Sequence, residues 1–343
     1  MTIQGTVLVT GGAGMIGSSL VRRLRAGGVH VKVVDNLWRG KREYLQRDDG
    51  SYVIDMDVDF HEVDIAVPGA VDALVRDVDY VVHLADIVAG IGYVFNNQGS
   101  IFRQNLLINS NIIASARAAT LKGYLYVGTA CSFPMQLQTG VNAPPLKEVD
   151  QYPANPESAY GWSKLMGEYE AFLLEKETRT PVCVLSLHNV YGTPTDYAEQ
   201  RSQVIPALIR KAIEAPEKEF VVWGSGNQGR AFVHVDDVVT GILQGLEKGF
   251  GQGVIQIGPD LCTSIRKVAE MVVHISGKST AIRYDTAKPE GDLGRCADYS
   301  KARRVLGWAP AVPLERGVRE LYRWIEDRLI RDRTATVASA KGV

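Results

Sequence analysis

The sequence lacks the paired-ligand spacings that announce metal or dithiol chemistry. It has no CxxC pair, and none of its six histidines stands in an HxxxH or HExxH arrangement. That excludes zinc ribbons, thioredoxin-like dithiols and zincin-type hydrolases, and no metal is expected. Cysteine itself is scarce. Cys131, Cys183, Cys262 and Cys296 are too few and too scattered over 343 residues for a disulfide framework. Reduced thiols, and so a cytoplasmic protein, are expected. No apolar run approaches the ~20 residues of a membrane span, and residues 1–9 lack the apolar core of a signal peptide. An excess of one charge is missing too. Lys and Arg number 38 against 39 Asp and Glu. Bulk electrostatics therefore offers nothing to nucleic acid or a membrane surface, and an acidic ligand must be met by local groups.

What is present is ordinary globular material, 45% hydrophobic and long enough for a large core. "TVLVTGGAGMIGSSLVRRLRAGGVHVKVVDN" reads as strand, glycine turn, amphipathic helix and second strand. Strand-like runs recur at "DYVVHLAD", "GYLYVGTA" and "TPVCVLSLHNVYG", with helical patterns between them. Such alternation predicts an α/β fold, a doubly wound parallel sheet of Rossmann type. Beyond residue 192 the strands shorten and the pattern mixes. The expected organisation is a dinucleotide-binding domain over 1–192, a smaller mixed α/β C-terminal lobe over 193–330 and a polar, frayed tail over 331–343. Segments near 228–258 are expected to return to the large sheet.

Gly11, Gly14 and Gly17 follow the first strand at three-residue spacing and open a helix. This is the setting for a pyrophosphate. Gly11 allows the turn, Gly14 the close approach of backbone to phosphate, and Gly17 close helix–strand packing, while the helix N-terminus supplies N–H donors. Met15 and Ile16 belong to the same turn. Asp35 ends the second strand, where a carboxylate accepts hydrogen bonds from ribose hydroxyls and repels a 2′-phosphate, so NAD is expected rather than NADP. Asp64 and Ile65 are candidates to flank the adenine, and Leu84 and Ala85 to line the pocket.

"SAYGWSK" places Tyr160 and Lys164 one helical turn apart on one face. A phenol beside an ammonium and a cationic cofactor can take a proton from a sugar hydroxyl, and Lys164 can also hold the nicotinamide ribose. Thr129 ends the strand "GYLYVGT" and would hydrogen-bond the reacting hydroxyl. Two residues on, Cys131 is either a small buried hydrophobe or an acid–base group.

Together these residues resemble the extended short-chain dehydrogenases/reductases that act on nucleotide sugars. Within them, "AGIGYVFNNQGSIFRQN", "ACSFP", "PANPESAYGWSK", "HNVYG", "VWGSGNQGRAFVHVDD", "EGDLGRCAD" and "LGWAPAVPLERGV" are similar, in order, to the GDP-mannose 3,5-epimerase group. The resemblance implies tightly held NAD, oxidation of the sugar at C4, and inversion either at C3/C5 through the 4-ketone or at C4 itself. It implies that Cys131 exchanges ring protons, and that Arg230 and Arg295 bind the diphosphate and Asn189 the sugar or diphosphate of a nucleotide diphosphate sugar, GDP-linked in that group. It also implies a homodimer through the helices before and containing Tyr160. "AGIGYVFN" is either a loop that closes over the sugar, with Gly90 and Gly92 giving room, or a rigid turn. One departure stands out. Where the group carries a lysine after "HNIYG", this chain has Gln203 or Val204. That weakens a strict two-sided C3/C5 mechanism and raises two alternatives, a C4 epimerase, for which Thr129, Tyr160 and Lys164 suffice, and a single-centre epimerisation using Cys131, while a 3,5-epimerase-like reaction stays the first expectation. A dehydratase is disfavoured by Ala130-Cys131 in place of an acid pair. A catalytically silent NAD-binding regulator is disfavoured by the intact Tyr160 and Lys164.

Overall fold

The computed structural model describes residues 3–340. In chain order the strands are β1 (Thr6–Thr10), β2 (His30–Asp35), β3 (Phe60–Glu62), β4 (Tyr80–His83), β5 (Gly123–Thr129), β6 (Val182–Leu187) and β7 (Asn189–Tyr191). There follow β8 (Phe220–Trp223), β9 (Gly229–Arg230), β10 (Phe232–His234), β11 (Val254–Ile257), β12 (Thr263–Ser264), β13 (Ile282–Asp285) and β14 (Gly294–Arg295). The first five helices are α1 (Met15–Ala26), α2 (Asp72–Arg76), α3 (Ile91–Asn96), α4 (Gln98–Arg117) and α5 (Ala159–Thr178). The rest are α6 (Val204–Glu214), α7 (Val235–Lys248), α8 (Ile265–Ser276), α9 (Ser300–Leu306) and α10 (Leu314–Ala340).

Seven parallel strands form the main sheet in the order β11-β6-β5-β4-β1-β2-β3. Strands buried on both faces need no polar alternation, and every residue of "GYLYVGT" and "VCVLSL" is buried. One face is covered by α1 and α7, with Leu20, Leu24, Val238, Ile242 and Trp308 in the core. The other is covered by α4 and α5 through Ile108, Ile112, Ala171 and Leu174. A third core, around Ile209, Phe220, Val268 and Leu321, holds the C-terminal lobe together. The strand order reverses direction between β1 and β4. There the carboxyl ends of neighbouring strands diverge and leave the crevice in which such sheets bind ligands.

Several expectations need correction. "TPVCVLSLHNVYG" is two strands, not one. His188 is still held to β11 of the main sheet, through its ring and Gln256 Oε1 at 3.0 Å and its N–H to the Ile257 carbonyl at 3.1 Å, and beyond it β7 pairs with β10 instead. Of the segments near 228–258, β11 joins the main sheet while β9 and β10 form small sheets with other strands. "AGIGYVFN" is not an open loop, since Gly90 caps α3 from its N-terminal side. A β-carbon on Gly90 would meet the Ser202 carbonyl oxygen at 2.5 Å, and one on Gly92 the Trp223 ring at 2.8 Å, so both positions are close backbone approaches, and both line the cleft described below. The tail read as frayed from Arg331 continues α10 to Ala340. Its Ala-rich sequence contains no helix breaker before Gly342. Residues 341–343 lie outside the described residues. Among the described residues no helix is long and apolar enough to cross a membrane.

Candidate active site

A cleft of about 1770 Å³ runs along the carboxyl ends of β1, β2, β4 and β5 and under the C-terminal lobe. Its inner half is built by the glycine turn. Gly11 follows β1 with φ +67°, and its N–H donates to the Val34 carbonyl at 2.7 Å. A β-carbon on Gly17 would overlap the Gly11 carbonyl oxygen, so Gly17 lets α1 start against the turn. One on Gly14 would touch only that oxygen, at 3.2 Å. No side chain caps the start of α1. Its first N–H groups therefore face the cleft, which Met15 and Ile16 also line. Asp35 accepts from the Ala13 N–H at 3.0 Å and the Leu37 N–H at 2.8 Å. Burial raises its carboxyl above the ordinary value, and those two hydrogen bonds oppose the rise. Gly40 keeps space open against Asp35 Oδ2. Leu84 and Ala85 line the cleft wall with their N–H groups fixed on Thr10 Oγ1 at 3.1 and 3.2 Å. Asp64 and Ile65 reach the same cleft, although the Asp64 side chain also closes its own turn through the Ala66 N–H at 2.9 Å. Bare N–H groups at a helix start and a carboxylate at the end of β2 are the fittings a dinucleotide requires.

The reactive groups meet deeper in. β5 ends at Thr129, whose hydroxyl accepts the Cys131 N–H at 3.2 Å and starts a single 3₁₀ turn over Ala130–Ser132. Ser158 caps α5 by accepting the Gly161 N–H at 3.3 Å. The helix start lies against the Cys131 backbone, where only Gly161 leaves space. Tyr160 and Lys164 therefore point into the cleft beside Thr129 and Cys131. Burial pushes the Tyr160 phenol well above its ordinary value. Asp86, Cys131 and Tyr126 push in the same direction, and a hydrogen bond with Thr129 opposes them. Lys164 is almost fully buried, 4.6 Å above the Tyr126 ring and 3.1 Å from Asp86 Oδ2.

The outer half carries the guanidinium groups. β9 and β14 are parallel neighbours in register at Arg230 and Arg295. Arg295 Nη1 donates to Asp292 Oδ2 at 2.7 Å and Gln138 Oε1 at 3.2 Å, while its Nε has no hydrogen-bond partner. Burial alone would lower Arg295, but Cys131, Asp292 and Glu157 outweigh it and hold the guanidinium up. Arg230 donates to the carbonyls of Gly229, Asp292 and Glu290, and burial beside Arg295 lowers it to about 10. Asn189 of β7 lines the same space, as do Gln203 and Val204 at the start of α6. Neither of those two can shuttle a proton. Gly90 lines the cleft as well, with its N–H on the Arg201 carbonyl at 3.2 Å.

Similarity to known proteins follows this geometry. Residues 7–258 match the model of the NAD dependent epimerase/dehydratase family. The chain belongs to that family. This epimerase/dehydratase is 32% identical over 333 residues to GDP-mannose 3,5-epimerase 1 of Oryza sativa subsp. indica, covering 96% of this chain and 84% of that one. It is also 31% identical over 329 residues to dTDP-4-dehydro-6-deoxy-D-allose reductase of Streptomyces bikiniensis, covering 93% and 95%. The solved UDP-glucose 4-epimerase of Thermotoga maritima superimposes with a TM-score of 0.81 at 26% identity, covering 94% and 99%. The UDP-glucuronic acid 4-epimerase of Bacillus cereus, in complex with UDP-glucuronic acid and NAD, gives 0.79 at 26%, again covering 94% and 99%.

Three groups in the epimerase/dehydratase cleft carry no motif signal. Asp86 stands three residues beyond β4 and meets both Tyr160 and Lys164. Glu157 is raised by burial and by Asp292, whose N–H it accepts at 3.0 Å. Lys211 of α6 is lowered by burial and donates to the Val221 carbonyl at 2.6 Å. Sequence reasoning passed over all three, although Asp86 ends the run "DYVVHLAD" and Glu157 lies in "PANPESAYGWSK"; for Lys211 the sequence holds no such signal.

Proposed function

We propose that this chain is an NAD-dependent nucleotide-sugar epimerase that works through a transient 4-keto sugar and resembles the GDP-mannose 3,5-epimerases in its handling of a GDP-sugar. The observation that carries the reading is the convergence of Thr129, Tyr160 and Lys164 with Cys131 in one cleft, roofed by Arg230 and Arg295. The N–H groups after Gly11 and Gly14 hold the cofactor pyrophosphate, Asp35 its adenosine ribose and Lys164 its nicotinamide ribose. When bound, NAD would supply a reversible hydride acceptor at C4. Thr129 orients the C4 hydroxyl, and Tyr160 removes its proton and gives it back. The resulting ketone acidifies the hydrogens at C3 and C5. The Cys131 sulfur would exchange a proton there on the face it meets; inversion through this single group requires the ketosugar ring to turn over before the proton is returned. Arg230 and Arg295 bind the diphosphate, where planar guanidinium groups fit phosphate oxygens. Leu107, Trp162 and Tyr169, exposed on α4 and α5, support a homodimer through those helices.

One observation favours a second reading. Gln203 and Val204 occupy the cleft wall where a second acid–base group would stand, and inversion at C4 alone needs no such group. Turnover of GDP-mannose and of other GDP- and UDP-sugars in D₂O, followed by NMR, separates the two. Deuterium at C3 or C5 that disappears in Cys131→Ser establishes the 3,5-type reaction. Inversion at C4 without deuterium, unchanged in Cys131→Ser, establishes the C4 epimerase. No turnover of any nucleotide sugar refutes both.

A further inference from the structure

Asp86 is built into the site with unusual rigidity. It lies just beyond β4, whose last residue, His83, is bonded to Thr10 Oγ1 at 2.7 Å and Asn109 Oδ1 at 3.1 Å. The next residue, Ile87, is clamped on both sides by Asn105, through its N–H at 2.7 Å and its carbonyl at 3.3 Å. Asn105 also reaches Ser163 of α5 at 3.3 Å. The backbone that carries Asp86 is thereby fixed to the helix that carries Tyr160 and Lys164. A single carboxylate oxygen, Oδ2, accepts the Tyr160 hydroxyl at 3.3 Å and faces Lys164 Nζ at 3.1 Å. The Asp86 side chain is 10% exposed and that of Lys164 2%. Little water screens the three groups, and each feels the others' charge strongly.

We propose that Asp86 is a positioning residue of this site: its carboxylate aligns Tyr160 and Lys164 on one oxygen and ties loss of the phenol proton to the arrival of positive charge in the cleft. This rests on the reading of Tyr160 as the group that exchanges the hydroxyl proton. A negative charge at hydrogen-bond distance opposes formation of a phenolate, and it also neutralises the ammonium that would favour one. The other groups facing the phenol are Thr129 and Tyr126 from β5 and Cys131 from the turn after it, and Lys164 of its own helix meets it through the shared Asp86 oxygen. Behind Lys164 stand Glu168 and His83, and Arg39 faces Asp86 from the segment after β2. Of the groups that hold the phenol up electrostatically, Asp86 is the strongest contributor. In an empty cleft the phenol therefore keeps its proton. A cationic nicotinamide beside it tips the balance, so the base is armed only in a loaded site.

The test compares wild type with Asp86→Asn, whose amide oxygen still accepts both hydrogen bonds but carries no charge. The full chain, with NAD⁺ added, is labelled with [¹³Cζ]tyrosine and titrated by NMR, and Tyr160→Phe assigns the Tyr160 signal. The expected result is a Tyr160 midpoint lowered by about one pH unit or more in Asp86→Asn. Asp86→Ser, which also lacks the charge, is expected to move it the same way and serves if the amide variant does not fold. An unmoved midpoint in a folded variant overturns the proposal and leaves Asp86 as packing for Lys164. The titration reads the phenol without turnover, so it decides the role of Asp86 even if no nucleotide sugar is converted. Where turnover is found, the acid limb of kcat/KM shifts to lower pH by the same amount. A limb that stays in place while Asp86→Asn remains folded counts against the proposal.

Discussion

Gly161→Ala tests whether Cys131 and Tyr160 are placed by one contact. Gly161 is buried in the first turn of α5, directly against the turn that carries Cys131. A β-carbon there would stand 3.0 Å from the Cys131 carbonyl carbon and 2.9 Å from Pro156 Cβ, and would overlap the Cys131 carbonyl oxygen. Ordinary carbon–carbon contact begins near 3.5 Å, so the turn and the helix start must part by about 0.5–1 Å. Alanine gains about 1 kcal/mol of helix propensity over glycine, against an overpacking cost of about 1–3 kcal/mol. The net loss of stability is then at most about 2 kcal/mol, and the variant stays folded. Its catalytic cost is larger, because a misplacement of about 1 Å between reacting groups lowers the rate about 100-fold. The assay is turnover of the nucleotide sugar that wild type converts, with NAD binding and urea unfolding as controls. Gly161 is remote from the Gly11–Gly17 turn, so NAD affinity is expected to hold. A variant with near-wild-type kcat and unchanged unfolding would refute the view that this contact sets the spacing of the two groups.

Two further outcomes concern stability. His83 and His188 are buried and neutral, each lowered to about 3, chiefly by desolvation. Their folded values lie below the unfolded one, so the unfolded chain takes up protons that the folded chain refuses. Their contribution is complete above about pH 6.5 and is lost as pH falls towards 3, by about 1.4 kcal/mol per pH unit for each histidine. His83→Gln is expected to flatten the acid side of a stability–pH curve by one proton, and an unchanged slope would contradict the assignment. Arg295→Met leaves Asp292 buried without its partner and is expected to cost about 3–5 kcal/mol in urea unfolding. Arg295→Met combined with Asp292→Leu is expected to recover most of that loss; two additive losses would show that the pair is not coupled.

Much of this site was legible because its parts are local. Gly11, Gly14, Gly17 and Asp35 lie within one strand–helix–strand unit, and Tyr160 and Lys164 within one turn of helix, so spacing alone groups them. The parallel sheet was legible for the same reason, since strands buried on both faces write continuous apolar runs. What escaped depends on distance. Asp86 acquires meaning only when β4 and α5 converge, 74 residues apart from Tyr160. Glu157 meets Asp292 across 135 residues. The break at His188 was hidden because a buried polar ring and a buried strand residue look alike until Gln256 is seen beside it. Gly90 and Gly92 read as room for a ligand, and a sequence does not say that Ser202 and Trp223 also crowd these two positions.

The placement of β11 at the edge of the main sheet, beside β6, bears on how this protein can change over time. A chain cut after residue 192 would lose that strand and leave the wholly buried "VCVLSL" as an open edge, inviting self-association. The two halves are therefore not interchangeable cassettes. Grafting another lobe onto this cofactor domain would have to replace β11 in the main sheet and the partner of β7 as well, because each half completes the other's sheet. A new sugar preference comes more readily by substitution within the cleft, one side chain at a time.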